Sequence, residues 1–235
     1  TLPELKYPKN LNCAVELLDH NVERGAGADV AFYYPGGHTT YGELLELTNS
    51  VANLLVGSFG LVPGQRVLLR APNNLMLVAC WLAVLKAGGI VVCTMPLLRE
   101  RELRFILDHA RVNLAVTDDR IAGELVSAAA GKTPVIRFSQ LQAIGASSAF
   151  ANVRTSADDV AIIAYTSGTT GKPKGVPIDH DQIVNFGCVA GEGYGVRAAS
   201  MEVGSLLLAV AMVALPAPSA TGRVLLLSVA AFGVA

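Results

Sequence analysis

The 235-residue sequence lacks an excess of either charge: 18 lysines and arginines stand against 19 aspartates and glutamates, a formal net charge of −1. Such a balance gives no broad electrostatic footprint for nucleic acid, and no polybasic run marks attachment to an anionic membrane surface. Paired cysteines are lacking too. Cys13, Cys80, Cys93 and Cys188 are scattered, with no C-x-x-C and no histidine at ligand spacing, which argues against a disulfide framework or a zinc site and for buried, reduced thiols in a cytoplasmic protein. The opening TLPELKYPKN has no apolar core of the kind a secretory signal needs. No internal repeat is present.

What the chain does have is apolar material, 52% of its residues, enough for one large or two small cores. Helical apolar spacing runs over 13–22 and over 41–55, the second opened by Thr40 and Glu43 as a capping box. Before it, AFYYPGGHTTY reads as a hairpin around Pro35-Gly36-Gly37. RVLLRAP, IVVCTMP, VNLAVTD and PVIRF read as short buried strands. Helices alternate with them over 73–86 (ended by Gly88-Gly89), 100–110 and 121–130. Strands separated by helices in this way imply an α/β fold, a layered parallel-rich sheet with flanking helices. Residues 140–158 are small and polar and read as a surface connection.

The chemistry concentrates in YTSGTTGKPKG, residues 165–175, directly after the apolar run VAIIA. Glycine-rich loops that follow a buried strand commonly serve phosphates, because bare N–H groups can converge on an anion. This one is not a Walker A loop: Gly168 and Gly171 are separated by two residues rather than four, and Pro173 stands where the magnesium-binding hydroxyl belongs. Nor does any G-x-G-x-x-G open a helix. What remains is a hydroxyl-rich loop in which Ser167, Thr169 and Thr170 can donate to phosphate oxygens, with Lys172 and Lys174 supplying positive charge. A solvated surface turn is the alternative.

T-S-G-T-T-G-K-P-K-G resembles the phosphate-loop signature of the AMP-forming adenylating enzymes, which include acyl- and aryl-CoA ligases, peptide-synthetase adenylation domains and luciferases. TYGEL (40–44) resembles that family's early helix start, and VLKAGGIVVCTMPLL (84–98) its L-K-A-G-x-x-x-x-P segment. The resemblance implies an incomplete N-terminal domain of an adenylate-forming enzyme. It assigns Thr166, Ser167, Gly168, Thr169, Thr170 and Gly171 to a triphosphate cradle. Lys174 falls on the near-universal lysine of the signature, and Lys172 on a variable position expected to face water. His180, in IDHDQIV, matches a histidine near the acyl pocket in many members; a helix-start residue with only local hydrogen bonds is the alternative. His20, His38 and His109 have no such context and read as surface or satisfied residues. LPELKYPKNLNCAVELLD and MPLLRERELRFILDHA are most similar to benzoate- and 2-aminobenzoate-CoA ligases.

The implied reaction is attack of a small carboxylic acid on the α-phosphate of ATP, with Mg2+, followed by thioester formation with CoA. The resemblance covers 1–196, a partial AMP-binding domain. No Y-G-x-T-E segment, ribose-binding aspartate or lysine-bearing small domain follows, so the family's catalytic lysine is absent and the chain is expected to be a fragment inactive alone. From 203 to 235 only Arg223 is charged. Two apolar runs there, each shorter than the roughly 20 residues that span a bilayer, admit three readings: a membrane anchor, a buried helix and strand, or a divergent tail produced by a frame shift or truncation near Arg197. The joint loss of charge and resemblance favours the third. Two functions follow: an acid–CoA ligase present as an N-terminal piece, or a non-catalytic decayed fragment with at most weak nucleotide or partner binding. Peptide-synthetase adenylation is the runner-up among enzymes.

Overall fold

The computed structural model describes residues 8–34, 37–142, 149–166 and 173–185. Two strands, β1 (Val30–Tyr34) and β2 (Gly37–Thr40), pair antiparallel as the expected hairpin. The remaining strands form one six-stranded sheet. They are β3 (Arg66–Arg70), β4 (Ile90–Thr94), β5 (Leu114–Thr117), β6 (Val135–Arg137), β7 (Val160–Thr166) and β8 (Lys174–Asp179), in the spatial order β6-β5-β3-β4-β7-β8. All neighbours are parallel except β7 and β8, which are antiparallel.

Successive side chains of a strand point to opposite faces, and the core divides accordingly. Val67, Leu69, Val91, Leu114 and Val116 face α2 (Tyr41–Gly57) and α3 (Leu75–Lys86). Leu68, Val92 and Ala115 face α4 (Glu100–His109) and α5 (Ala122–Ala129). The α/β layering read from the sequence is therefore what the chain adopts, as helix–sheet–helix.

Each helix starts and packs for a local reason. The Thr40 side chain accepts from Glu43 N–H at 3.2 Å while Glu43 accepts from Thr40 N–H at 2.8 Å, the reciprocal cap of α2. Asn74 accepts from Leu77 N–H at 2.9 Å and opens α3. From Met76 to Lys86 every residue of α3 except Leu77 is buried, as an all-round apolar helix between α2 and the sheet must be. Helix α4 buries only Leu103, Ile106 and Leu107, one stripe. The first helical stretch is irregular: a π-helical turn, Val15–Asp19, runs into α1 (His20–Glu23). A short α6 (Phe138–Gln142) follows β6.

The surface connection expected over 140–158 needs correction in its second half. Val153 N–H donates to Lys86 O at 2.8 Å, and Asn12 Nδ2 donates to Leu85 O at 2.7 Å. Thr155 is buried, donating through Oγ1 to Leu11 O at 2.7 Å. Val153 N–H and the Asn12 side chain thus satisfy carbonyls at the end of α3, and Thr155 ties this segment to the N-terminal one. Gly88, at φ +71°, makes room for them: a Cβ there would lie 2.8 Å from Val153 Cγ1. The tail at 197–235 and Cys188 lie outside the described residues; Cys13 and Cys80 are free and buried.

Candidate functional site

The predicted phosphate loop is the connection between β7 and β8. Tyr165 pairs with Gly175 and Thr166 with Lys174, so the last pair of the ladder closes the base of the loop. Strand β7 was legible as the apolar run before the loop, whereas β8 was not. Of the predicted cradle, Thr166 is placed at the end of β7 and Lys174 at the start of β8, exposed. Ser167, Gly168, Thr169, Thr170 and Gly171 lie outside the described residues, as does Lys172. The loop's base thus stands at the carboxyl end of a strand parallel to β4, the end at which ligands of open α/β sheets bind.

His180 begins a helical turn after β8 and is only 1% exposed. Its Nδ1 accepts from Cys13 N–H at 3.1 Å and lies 3.1 Å from Cys13 Sγ. Burial pushes its pKa down to about 4 against the opposing charges of Asp159 and Asp181, so the ring is neutral at pH 7. Its partner is distant in sequence, not local. The same burial raises the Cys13 thiol well above its ordinary range, which leaves it protonated and unreactive.

A second feature was not foreseen. A cavity of about 530 Å3 opens where Arg70 ends β3, where Pro96 to Glu100 follow β4, and where Arg120 to Ser127 follow β5. The chain winds from β3 toward β4 but from β5 toward β6, so the direction reverses between β3 and β5. Such reversal points are the preferred ligand crevices of this architecture. Arg70 is 3% exposed. It donates to Pro96 O at 2.8 Å, to Leu98 O at 3.0 Å and to Ile121 O, and its Nε is buried with no partner. Burial lowers its pKa, with Glu124 opposing and Arg99 adding to the effect. Arg99 pairs with Glu124 at 3.0 Å and Arg120 with Asp118 at 2.7 Å; Arg70 has only carbonyls. A charge at the end of the apolar run RVLLR was the signal available in the sequence.

Among the described residues no group of His, Cys, Asp and Glu could hold a metal ion, and no helix is long and apolar enough to cross a membrane.

A parallel-rich sheet with helices on both faces makes this a layered α/β protein, with a hydroxyl- and glycine-rich sequence following strand β7. The model of the AMP-binding enzyme family matches residues 18–234, and the chain belongs to that family. It is 33% identical over 185 residues to malpinin synthetase of Mortierella alpina, covering 77% of this chain and 2% of the relative. It is 27% identical over 197 residues to benzoate–CoA ligase of Thauera aromatica, covering 79% of this chain and 37% of the relative. A benzoate CoA ligase from Burkholderia xenovorans LB400 has the same fold, with a TM-score of 0.67 and 24% identity over 77% of this chain and 37% of that one. The chain thus spans well under half the length of these three relatives.

Proposed function

We propose that the chain carries the phosphate-gripping part of an ATP-dependent acid–CoA ligase whose acid is an aryl carboxylate. The observation that supports this reading is the Thr166–Lys174 register pair, which brings together the two strand ends that flank the glycine-rich segment. In this reading Lys174 contacts the β- and γ-phosphates, and Thr166, Ser167, Gly168, Thr169, Thr170 and Gly171 line them. Donors fixed ahead of the reaction stabilise charge as it moves onto the departing pyrophosphate. Bound MgATP supplies the electrophilic α-phosphate. His180, neutral and enclosed, serves as a wall of the acyl side fixed on Cys13 rather than as a proton carrier.

The cavity at the ends of β3 and β5 supports the CoA half of the reading. Three arginines and two glutamates line it, Arg70 with a free buried N–H, and the phosphates of CoA need such cations. We assign residues 1–196 to the partial AMP-binding domain and 197–235 to a tail of divergent composition, over which the family model nonetheless extends to residue 234. A cytoplasmic setting accords with the buried free thiols. Because the chain spans 37% of benzoate–CoA ligase, these 235 residues are expected to bind MgATP without completing adenylation.

Calorimetry with MgATP, paired with ATP–pyrophosphate exchange in the presence of benzoate, 2-aminobenzoate and amino acids, tests this. Binding without exchange is the expected result. Absence of MgATP binding would leave a non-catalytic product, and exchange driven by an amino acid would favour the peptide-synthetase branch.

A further inference from the structure

We propose that His109 is a positioning residue for the phosphate loop, holding Tyr165 and through it the base from which the loop departs. The proposal rests on the phosphate-loop reading of 166–174, but its geometry stands apart from that reading.

Tyr165 is the last described side chain before the loop. Alternation along β7 sends Ile162 to the α2–α3 face and Ile163 and Tyr165 to the α4 face. There the Tyr165 hydroxyl meets His109 Nδ1 at 2.7 Å, with the two rings edge-on at 76° and 5.8 Å between centroids. His109 is in turn stacked on Phe105, one turn earlier on α4, at 5.2 Å and 20°. Phe105 packs against the core of that face. The imidazole is therefore oriented on one side by a core-anchored ring and bonded on the other to the loop's stem.

The opposite stem accommodates this arrangement. Gly175 is the register partner of Tyr165, and a Cβ there would lie 3.4 Å from Tyr165 Cζ, 3.5 Å from its hydroxyl and 3.1 Å from Ile163 Cγ2. A glycine facing an aromatic across an antiparallel pair lets the ring lie over the bare backbone. Both stems and α4 thus make one unit beside the Thr166–Lys174 pair. Burial raises the Tyr165 pKa, which keeps its hydroxyl protonated and able to share a hydrogen with the imidazole.

Global stability does not explain the bond. His109 is exposed, and an exposed hydrogen bond adds little to folding. A segment that must admit and release a polyphosphate, however, needs stems that hold its two ends in place.

The test uses His109→Phe, which keeps a flat ring on Phe105 and removes the bond; His109→Gln, which restores a donor and an acceptor; Tyr165→Phe; and the His109→Phe/Tyr165→Phe pair. Amide hydrogen exchange is read over 166–175 without nucleotide, with β3 as internal control, and MgATP affinity is read by calorimetry. We expect exchange over 166–175 to rise about fivefold in either Phe variant, the scale of one hydrogen bond. The pair should be no worse than either single variant, His109→Gln should return near the wild type, and the melting temperature and β3 exchange should not move. MgATP affinity should fall in parallel. Unchanged exchange, or additive effects in the pair, overturns the proposal. If wild-type chain binds no MgATP while the exchange pattern appears, positioning of the segment stands and the phosphate reading alone falls.

Discussion

Lys86 Nζ lies 2.7 Å from Asp19 Oδ1, with none of the lysine side chain exposed. Asn152 Nδ2 donates to the same carboxylate oxygen at 2.8 Å, so one ion pair joins the first helical stretch, the end of α3 and the segment entering β7. Burial pulls the Lys86 ammonium below its ordinary range, and Asp19 opposes that shift. Removing one partner of a buried pair strands the other. Asp19→Asn is expected to cost about 3–5 kcal/mol, and adding Lys86→Met to it should recover part of that loss. Urea unfolding of the two variants decides: equal loss in both would mean that Asp19 acts through Asn152 and not through the lysine.

Gly88 closes the same corner. Its φ of +71° is left-handed, and its missing Cβ leaves the space taken by Val153. Gly88→Ala combines backbone strain with a clash against a residue hydrogen-bonded to Lys86 O, and should cost about 2 kcal/mol. Gly123, where a Cβ would meet nothing within 4 Å inside α5, should tolerate alanine or gain slightly. Thermal unfolding of both variants separates the cases, and a similar response at the two positions would refute the packing account.

These features also mark where the sequence stopped being informative. The capping box at Thr40 and Glu43, the hairpin and the strands of the parallel sheet are local patterns and could be read directly. Strand β8 could not: Lys-Gly-Val-Pro-Ile-Asp carries a proline and a glycine, tolerable only because β8 pairs with β7 as a border strand among those described. The loop was legible as a string of residues, but its setting in an antiparallel hairpin was not. Arg70, Arg99 and Glu124 come from three separate segments, and beyond the charge that ends RVLLR nothing in their local sequence signals the shared cavity. His109 and Tyr165 are 56 positions apart, so a histidine without a local motif read as merely satisfied.

Acid should unfold the protein partly through His180. Its folded pKa of about 4 lies below the ordinary 6.5, so between those values the unfolded chain takes up a proton that the folded chain refuses. Stability from this group is complete above pH 6.5 and falls as pH drops toward 4, by up to about 3 kcal/mol. His180→Asn, which can still accept from Cys13 N–H, should flatten the dependence between pH 7 and pH 5. Denaturant midpoints at the two pH values provide the check; a slope unchanged by the substitution would move the acid sensitivity elsewhere.

Lys174 offers the sharpest test of the loop. It pairs with Thr166 at the first rung of the hairpin, so its backbone is held by the sheet while its side chain is exposed. Lys172 precedes Pro173 and lies outside the described residues. If the reading is right, a charge-assisted contact worth about 1.5–3 kcal/mol is lost in Lys174→Ala, and MgATP affinity falls by about ten- to a hundredfold. Lys172→Ala should stay within about twofold if Lys172 faces water, as its variable position in the family signature implies, since a solvated ammonium contributes little. Lys174→Arg keeps charge but changes its shape and reach, and should recover only part of the affinity. Calorimetric titration of the three variants under one salt condition reads all of this. Comparable losses from Lys172→Ala and Lys174→Ala would mean that the loop attracts nucleotide through diffuse charge, and the specific role of Lys174 would be withdrawn.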